Sequence, residues 1–242
     1  MSQYILAIDE GTTGSTVALM DNRGRLRASV NNEFPQIYPK PGWVEHSLAD
    51  IQQSVQKGIN AVLRKKICKP TDIAAIGITN QRETAAIWDR DSGEALNNAV
   101  VWQCRRTTDF CEQLKEAGNE PLVRRRTGLV LDPYFSASKY RWLLRNTAGI
   151  GRKLKAGRVA AGTIDSFLVW HLTGGREHVT DISNASRTSL MNLKSGRWDQ
   201  ALLDLFEVPA GILPRIVPSS AVVGHTLNVR GLPDGIPIAG IA

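Results

Sequence analysis

The chain has 242 residues, 42% of them hydrophobic, which is enough to bury the core of one large domain or two small ones. No apolar run approaches the roughly 20 residues of a membrane-spanning helix, and the N-terminus lacks the basic start of a secretory signal. Three cysteines, Cys68, Cys104 and Cys111, cannot all pair with one another. We therefore expect reduced thiols, no membrane contact and a cytoplasmic location.

The net charge of +7 is concentrated in residues 120–160. This segment holds ten Lys or Arg and two acidic residues, a net charge of +8, which leaves −1 for the rest. Such a face can attract nucleic acid or an anionic partner. The alternative is a solvated helix surface, which we favour because the segment has no recognised nucleic-acid module. We therefore expect no nucleic-acid partner.

Hydrophobic periodicity predicts three consecutive strands, followed by helices that alternate with further strands. The predicted strands are 4–9, 16–21, 26–32, 73–79, 84–89, 99–102 and 236–242, and residues 159–161 form a short apolar run. The predicted helices are 48–62, 107–117, 122–126, 135–145, 164–172 and 200–206, and we expect loops at 35–42 and 179–191. The order predicts an α/β domain whose mixed sheet starts with an antiparallel three-strand meander and carries helices on both faces.

Polar residues at helix starts support three of these helices. Ser47 precedes the first helix and Asp50 follows three residues later, a weak form of the capping box. Thr163 and Asp199 stand at the N-cap positions of two later helices. In the first helix, apolar residues recur at spacings of three and four, which predicts one buried stripe.

A turn of glycine and hydroxyl residues joins the first two strands, from Glu10 to Ser15. Gly11 and Gly14 allow unusual backbone angles, so amide N–H groups can converge on one point. Together with hydroxyls, such groups can bind phosphate. Asp9, at the strand end, is placed to hold a hydrated Mg²⁺ against that phosphate. A tight turn without a ligand is the alternative interpretation.

Four further residues interrupt apolar segments and are candidates for a polar-ligand site. Arg82 and Glu83 form either a surface ion pair or a donor and acceptor for polyol hydroxyls. Trp102 is either a core aromatic or the apolar wall of a small pocket. Tyr134 follows an Asp-Pro break, where an exposed phenol can supply a hydroxyl.

Together and in this order, these motifs resemble the glycerol kinases of the carbohydrate-kinase family named for its FGGY signature. The resemblance covers Tyr4 to Ala242 and rests on six segments: Asp9–Thr13, Asn80–Thr84, Val101–Thr107, Asp132–Lys139, Gly162–Asp165 and Thr180–Thr188. It implies the actin-like, ribonuclease H-like fold. It also implies that residues 1–242 form the N-terminal, substrate-side domain of a longer kinase whose C-terminal domain is absent from this chain.

The implied reaction transfers the ATP γ-phosphoryl group to a terminal hydroxyl of glycerol. The roles that the resemblance implies are Mg²⁺ association by Asp9, phosphate or nucleotide binding by Thr12, Thr13, Gly14 and Thr16, and glycerol binding by Arg82, Glu83, Trp102 and Tyr134. One alternative is a kinase of another polyol or sugar, such as xylulose or erythritol, on the same fold. Another is a binding module that uses the basic segment. A homo-oligomer of the complete enzyme stays open.

The chain departs from the family pattern at several positions. Glu10 replaces a Gln, Gly14 a Ser, Thr16 an Arg and Cys104 an Asp; the first three weaken the expected nucleotide site and leave the polyol pocket unchanged. The resemblance places the general base, an Asp, just beyond Ala242. We therefore expect no catalytic base in this chain and no kinase activity from it alone.

Overall fold

The computed structural model describes residues 3–242. The strands are β1 (Tyr4–Glu10), β2 (Gly14–Asp21), β3 (Leu26–Glu33), β4 (Glu45–His46), β5 (Ile73–Asn80), β6 (Ala86–Asp89), β7 (Ala99–Val100), β8 (Val159–Gly162), β9 (Val179–Asp181), β10 (Met191–Asn192), β11 (Arg197–Trp198), β12 (Arg215–Val217), β13 (Gly224–His225) and β14 (Pro237–Ile241). The helices are α1 (Leu48–Arg64), α2 (Thr108–Glu116), α3 (Glu120–Thr127), α4 (Ser136–Asn146), α5 (Ile150–Lys155), α6 (Ile164–Leu172), α7 (Ile182–Ser186) and α8 (Gln200–Phe206). None of these helices is long and apolar enough to cross a bilayer.

Six strands form one mixed sheet in the order β13-β14-β5-β1-β2-β3. β2 pairs antiparallel with both β1 and β3, so the predicted meander is confirmed. β1 and β14 lie parallel on either side of β5, and β13 runs antiparallel to β14. Because β1 and β5 are parallel, with Glu10 opposite Asn80, the residues that follow them emerge at one edge of the sheet.

One face of this sheet is buried in a core that also contains apolar residues of α1 and α6. Leu6 of β1 lies in register with Ile76 of β5, and both are fully buried. Helix α1 starts where predicted, since the Ser47 hydroxyl accepts a hydrogen bond from the Asp50 N–H at 3.2 Å. A Cβ at Gly58 would lie 2.5 Å from Val17 Cγ2, so glycine lets α1 approach β2 closely.

The opposite face of the six-stranded sheet is more open. Ile5 is 45% exposed, Asp9 is exposed, and Ala7 and the facing Gly77 are half-buried. The helices that contact these strands, α1 and α6, add their apolar residues to the core on the other face. Within residues 3–242, helices α1 and α6 therefore cover one face of the six-stranded sheet. The predicted arrangement, with helices on both faces, occurs at a smaller sheet.

That smaller sheet is the antiparallel pair β6–β8, which is buried on both faces. Trp88 points into the first core, where its ring meets Phe167 of α6 at a centroid distance of 5.6 Å. Ile87, the preceding residue, belongs to a second core with Tyr140 of α4. Successive side chains of a strand point to opposite faces, so Trp88 packs against α6 on one face of this pair and Ile87 packs with α4 on the other.

The segment 179–191 is the largest difference from the prediction, which was a loop. It forms β9, α7 and the start of β10. The Asp181 carboxylate accepts hydrogen bonds from the N–H groups of Ser183 and Asn184, both at 2.9 Å, and so caps α7. β9 pairs in parallel with β12, which lies far along the chain. The loop was predicted because the segment is mostly polar. The structure depends instead on the cap of a short helix and on a strand partner elsewhere in the chain, and polar composition reveals neither.

Smaller differences concern the ends of elements. The strand predicted at 99–102 covers only Ala99–Val100 and pairs with β4 outside the main sheet. Helix α5 was not predicted. Thr163 occupies the N-cap position of α6, but its hydroxyl donates to the Asp165 carboxylate at 2.5 Å instead of accepting from a backbone N–H. The remaining predicted strands and helices are confirmed to within a few residues.

The basic segment 120–160 is partly paired with acidic residues from other parts of the chain. Five of its ten basic side chains contact acidic ones: Arg126 with Asp199, Arg141 and Arg145 with Glu207, and Lys153 and Arg158 with Asp89. The contacts from Lys153 and Arg158 hold the pKa of Asp89 well below its ordinary value. A sixth basic residue, Lys139, is fully buried. Half of the basic side chains of this segment are thus engaged in ion pairs within the chain.

Candidate functional site

The two groups of predicted site residues meet at the carboxyl ends of β1 and β5, around a cavity of about 240 Å³. It is lined by Asp9, Gly11, Thr12, Asn80, Gln81, Arg82, Glu83, Trp102 and Tyr134. Six of the nine predicted residues are therefore brought together, and Thr13, Gly14 and Thr16 lie outside the lining. The cavity is smaller than the roughly 300–1,000 Å³ of drug-sized sites, which suits a ligand of a few atoms.

The glycine turn is an ordinary hairpin connection rather than a ring of converging amides. The Gly11 N–H donates to the Gly14 carbonyl at 3.0 Å, and neither glycine has a positive φ. The expectation that these glycines adopt unusual backbone angles was wrong. A Cβ at Gly14 would lie 2.7 Å from the Asn32 carbonyl oxygen, so the close approach of β3 explains this glycine.

The hydroxyl residues of the turn have different surroundings. Thr13 is exposed at the tip of the turn. Thr16 lies beside Asp9 across the β1–β2 pair, and its hydroxyl accepts from the Asn31 amide at 2.9 Å. Asp9 is exposed and lines the cavity, so its carboxylate is accessible to a ligand. Within residues 3–242 no group of three or more His, Cys, Asp or Glu side chains encloses a metal position.

Thr12 connects the two predicted motifs. Its hydroxyl accepts a hydrogen bond from Trp102 Nε1 at 2.9 Å, and the Trp102 ring meets the Tyr134 ring at a centroid distance of 5.4 Å. The Trp102 N–H donates to the Thr84 hydroxyl at 3.2 Å. The indole therefore forms a wall that ties the β1–β2 turn to the polar residues after β5.

Glu83 is held in an uncommon backbone conformation, with φ of 62°. The Thr84 N–H donates to the Arg82 carbonyl at 2.8 Å, which closes a three-residue γ-turn around Glu83. Ser136 Oγ donates to the Glu83 carbonyl at 3.1 Å. The partner of the Glu83 carboxylate is Arg187, at 2.6 Å, and not the adjacent Arg82, which is exposed. Of the two alternatives given for Arg82 and Glu83, the ion pair between them is therefore not formed.

The loop that carries Tyr134 is held by a buried lysine. Lys139 Nζ donates to the carbonyls of Tyr134 and Phe135 at 2.5 and 3.0 Å, and the Tyr134 N–H donates to Asp132 Oδ1 at 2.8 Å. Complete burial lowers the pKa of Lys139 to about 7. The amino group thus fixes the backbone of a cavity residue from within the core.

A chain of buried hydrogen bonds lies behind the cavity. Gln81 Nε2 lies 3.1 Å from Glu10 Oε2 and 3.1 Å from His46 Nδ1. His46 Nε2 lies 2.7 Å from Gln36 Oε1, and Gln36 Nε2 donates to the Thr12 carbonyl at 3.0 Å. Because Gln36 Oε1 can only accept, His46 carries its proton on Nε2 and accepts from Gln81 at Nδ1. The chain links the turn at Thr12 to the residue before Arg82.

Burial controls the charge of both ionisable members of this chain. It raises the pKa of Glu10 from an ordinary 4.5 to about 8, against the opposing hydrogen bond from Gln81. It lowers the pKa of His46 to about 4. Both groups are therefore neutral at pH 7, and Glu10 resembles in charge the Gln that it replaces in the family pattern.

Several of these residues were missed by sequence reasoning. Arg187 and Lys139 belong to motifs noted in the sequence but carried no predicted role. Gln81 likewise belongs to the motif Asn80–Thr84 and carried no predicted role, whereas His46 lies in a segment without a distinguishing pattern. Asn80 lines the cavity, and its buried amide atoms have no hydrogen-bond partner within residues 3–242. A buried amide without a hydrogen-bond partner is energetically unfavourable and uncommon. The sequence alone does not reveal this, because burial and pairing depend on the fold.

Comparison with known proteins agrees with this geometry. A family model described as the N-terminal domain of the FGGY family of carbohydrate kinases matches residues 4–242. A protein of Bdellovibrio bacteriovorus named glycerol kinase is 53% identical over 241 residues, which is 100% of this chain and 49% of that protein. The chain spans about half the length of the curated relatives that it matches.

Solved structures give the same result for the fold. A crystal structure of Plasmodium falciparum glycerol kinase with ADP superimposes with a TM-score of 0.92 at 32% identity, over 99% of this chain and 48% of that one. A gluconate kinase from Lactobacillus acidophilus superimposes with a TM-score of 0.87 at 27% identity, over 100% and 48%. The implied actin-like fold is therefore confirmed, and the chain belongs to the FGGY family of carbohydrate kinases, whose N-terminal domain it matches along nearly its whole length.

Proposed function

We propose that this chain forms the substrate side of an enzyme that transfers the ATP γ-phosphoryl group to a terminal hydroxyl of glycerol. The observation that carries the proposal is one small cavity, which combines the expected polyol residues with Asp9 and Thr12 of the β1–β2 turn. The similarity to proteins named glycerol kinase supports the choice of glycerol over sugars. The gluconate and xylulose kinases of similar fold are less similar in sequence.

The cavity residues divide the work of holding a small polyol. Arg82 is exposed and can donate to hydroxyl oxygens, whereas Glu83 can accept from hydroxyl protons. Trp102 and Tyr134 meet edge to face and present an apolar wall to the carbon chain. Phosphoryl transfer depends on such positioning because the protein does little covalent chemistry itself.

Asp9 is the residue that would associate with Mg²⁺ when ATP is bound. Mg²⁺ keeps several waters and is usually bound through one or two carboxylates plus substrate phosphates, which fits a single accessible Asp. The phosphates would lie near the β1–β2 turn and the start of β2, at Thr12, Thr13, Gly14 and Thr16. The cation would neutralise charge on the transferred group.

The general base is proposed to come from outside residues 1–242. The cavity carboxylates are Asp9 and Glu83; Asp9 is assigned to the cation, and Glu83 is engaged by Arg187 at 2.6 Å. A second domain would supply the base and the other wall of the cleft, as the half-length match to the relatives suggests.

The three free cysteines support a cytoplasmic location.

The proposal is tested with a hybrid enzyme, defined as this chain followed by the remaining half of the Bdellovibrio bacteriovorus relative. We expect ADP formation that depends on glycerol and on Mg²⁺, measured by a coupled assay. Xylulose, erythritol and gluconate are the comparison substrates. A hybrid that is folded but prefers one of these over glycerol would overturn the choice of substrate.

Replacing Arg82 by Ala in the hybrid should raise the KM for glycerol much more than the KM for ATP. Loss of a charged hydrogen bond costs about 1.5–3 kcal/mol, or roughly 10- to 150-fold in affinity. Because Arg82 is exposed and outside the ion pair of Glu83, the stability of the chain should hardly change. Equal effects on both substrates would contradict the assignment. Arg152→Ala, at an exposed Arg of α5 outside the cavity, is the control.

Replacing Thr16 by Arg should tighten nucleotide binding by the hybrid and leave the KM for glycerol unchanged. The side chain lies on the open face of the sheet, next to Asp9, where a longer group has space and a cation can meet a phosphate. The dissociation constant of ADP, measured by calorimetry, is the readout. An unchanged or weaker affinity would mean that the new cation pairs with Asp9 or that another basic residue already fills the role.

A further inference from the structure

We propose that Arg187 is a positioning residue that holds the Glu83 carboxylate, and with it the Tyr134 side of the cavity, in the orientation that receives the acceptor polyol. This inference rests on the proposed function and adds to it a residue that does not line the cavity. Arg187 lies 104 residues after Glu83 in the chain and immediately after α7, so only the fold brings the two together.

The first support is the electrostatics of Glu83. Its side chain is only 5% exposed, and a carboxylate buried without a partner is strongly unfavourable. Arg187 Nε donates to Glu83 Oε1 at 2.6 Å, and no hydrogen bond within residues 3–242 uses the second carboxylate oxygen. One oxygen is therefore occupied by Arg187, and the other remains for a ligand hydroxyl in the cavity.

The second support is the backbone of Glu83. A residue other than glycine at φ of 62° is in a sparsely populated region, which is unfavourable and persists only where the surroundings hold it. The hydrogen bond from Ser136 Oγ fixes the carbonyl, and the ion pair with Arg187 fixes the side chain. Removing either clamp releases a conformation that the residue does not prefer by itself.

The third support is the contact of Arg187 with the other side of the cavity. Its guanidinium lies 5.1 Å from the Phe135 ring centroid and 5.9 Å from that of Tyr134. Both distances fall within the range of cation–π attraction. One side chain therefore touches the acceptor carboxylate and the aromatic loop together.

The position of Arg187 is itself fixed by the fold. It follows α7, whose N-terminus is capped by Asp181, and Asp181 also accepts a hydrogen bond from Ser219 Oγ at 2.5 Å. The side chain of Arg187 is 31% exposed, so an ordinary surface ion pair is the alternative. The two interpretations differ in one consequence: only positioning makes the effect of Arg187 on glycerol depend on Glu83.

The test is a double-mutant cycle in the hybrid enzyme with Arg187→Met, Glu83→Gln and both together. We expect Arg187→Met to raise the KM for glycerol about 10- to 100-fold, as for loss of a charged hydrogen bond, with less than about a threefold change in the KM for ATP. In the Glu83→Gln background the same substitution should change the KM for glycerol by less than about threefold. Arg187→Lys should recover part of the affinity, because it restores the charge but not the planar stacking.

Arg126→Met is the matched control, since Arg126 also pairs with a buried carboxylate, that of Asp199 at 2.7 Å, outside the cavity. It should lower stability without changing the KM for glycerol. A readout without substrate uses the ¹⁵N NMR spectrum of the 242-residue chain. The Arg187 Nε–H signal should be protected from exchange and should lose that protection in Glu83→Gln.

The outcomes separate the two proposals. A hybrid that does not phosphorylate glycerol overturns the proposed function. An active hybrid in which the effects of Arg187→Met and Glu83→Gln are additive, or in which both KM values rise equally, overturns the positioning role of Arg187 alone. A poorly folded Arg187→Met variant is replaced in the cycle by Arg187→Lys, for which the same non-additivity with Glu83→Gln is required.

Discussion

The wild-type chain is expected to lose stability as the pH rises from about 5 to about 9, and replacing Glu10 by Gln is expected to remove most of this loss. The Glu10 pKa is raised by burial to about 8, so the folded chain keeps a proton that the unfolded chain loses above about 4.5. The folded state therefore loses stability as the pH rises through this window. The difference between the two pKa values corresponds to a loss of up to about 4–5 kcal/mol in the unfolding free energy of the wild type across this pH range. The Gln variant has no carboxyl group at this position and should not show this loss.

The measurement is urea unfolding of the wild type and of Glu10→Gln at a series of pH values. His46, whose pKa is lowered to about 4, adds a loss of stability below about pH 6.5 that is common to both proteins and cancels in the difference. Asp109→Asn, at an exposed carboxylate, is the charge-matched control and should show no such trend. A constant difference between wild type and Glu10→Gln across the range would show that Glu10 ionises freely in the folded chain.

Replacing Gln81 by Leu is expected to destabilise the chain by about 3–5 kcal/mol and to weaken glycerol binding by the hybrid. Gln81 is 7% exposed and donates towards Glu10 and His46 while its carbonyl accepts from the Thr84 hydroxyl at 2.9 Å. The apolar side chain leaves these buried groups without a partner, at about 1–3 kcal/mol each. The neighbouring Arg82 should move as a result.

Chemical denaturation and the KM for glycerol measure the two effects. Gln53→Leu is the matched control, because Gln53 is exposed on α1 and bonds only to Lys57. It should change stability by less than about 0.5 kcal/mol. If Gln81→Leu is as mild as this control, the buried chain of hydrogen bonds does not hold the cavity.

Local patterns were sufficient for the elements that are stabilised by their own sequence. The β1–β2–β3 meander has short turns between apolar runs, and α1 has both an N-cap at Ser47 and a regular buried stripe. These signals depend on neighbours in sequence, so they can be read without the fold. The motifs at Asp9, Arg82 and Trp102 were also visible, because polar or aromatic residues at strand ends break an apolar pattern.

The remaining features depend on contacts between distant segments. Glu83 pairs with Arg187, 104 residues away, and not with its neighbour Arg82. Gly14 is required by the approach of β3, which no local rule reveals. The segment 179–191 gains its structure from β12. In each case the structure depends on a partner from another element, which local sequence patterns do not identify.

The burial of Lys139 has a consequence for its reactivity. With a pKa near 7, a large share of its amino group is unprotonated at neutral pH, which is the nucleophilic form of a lysine. The same group is fully enclosed and hydrogen-bonded to two backbone carbonyls. An acylating reagent can therefore reach it only when the structure opens. The rate at which Lys139 is labelled, compared with the exposed lysines, thus measures how often this part of the core unfolds.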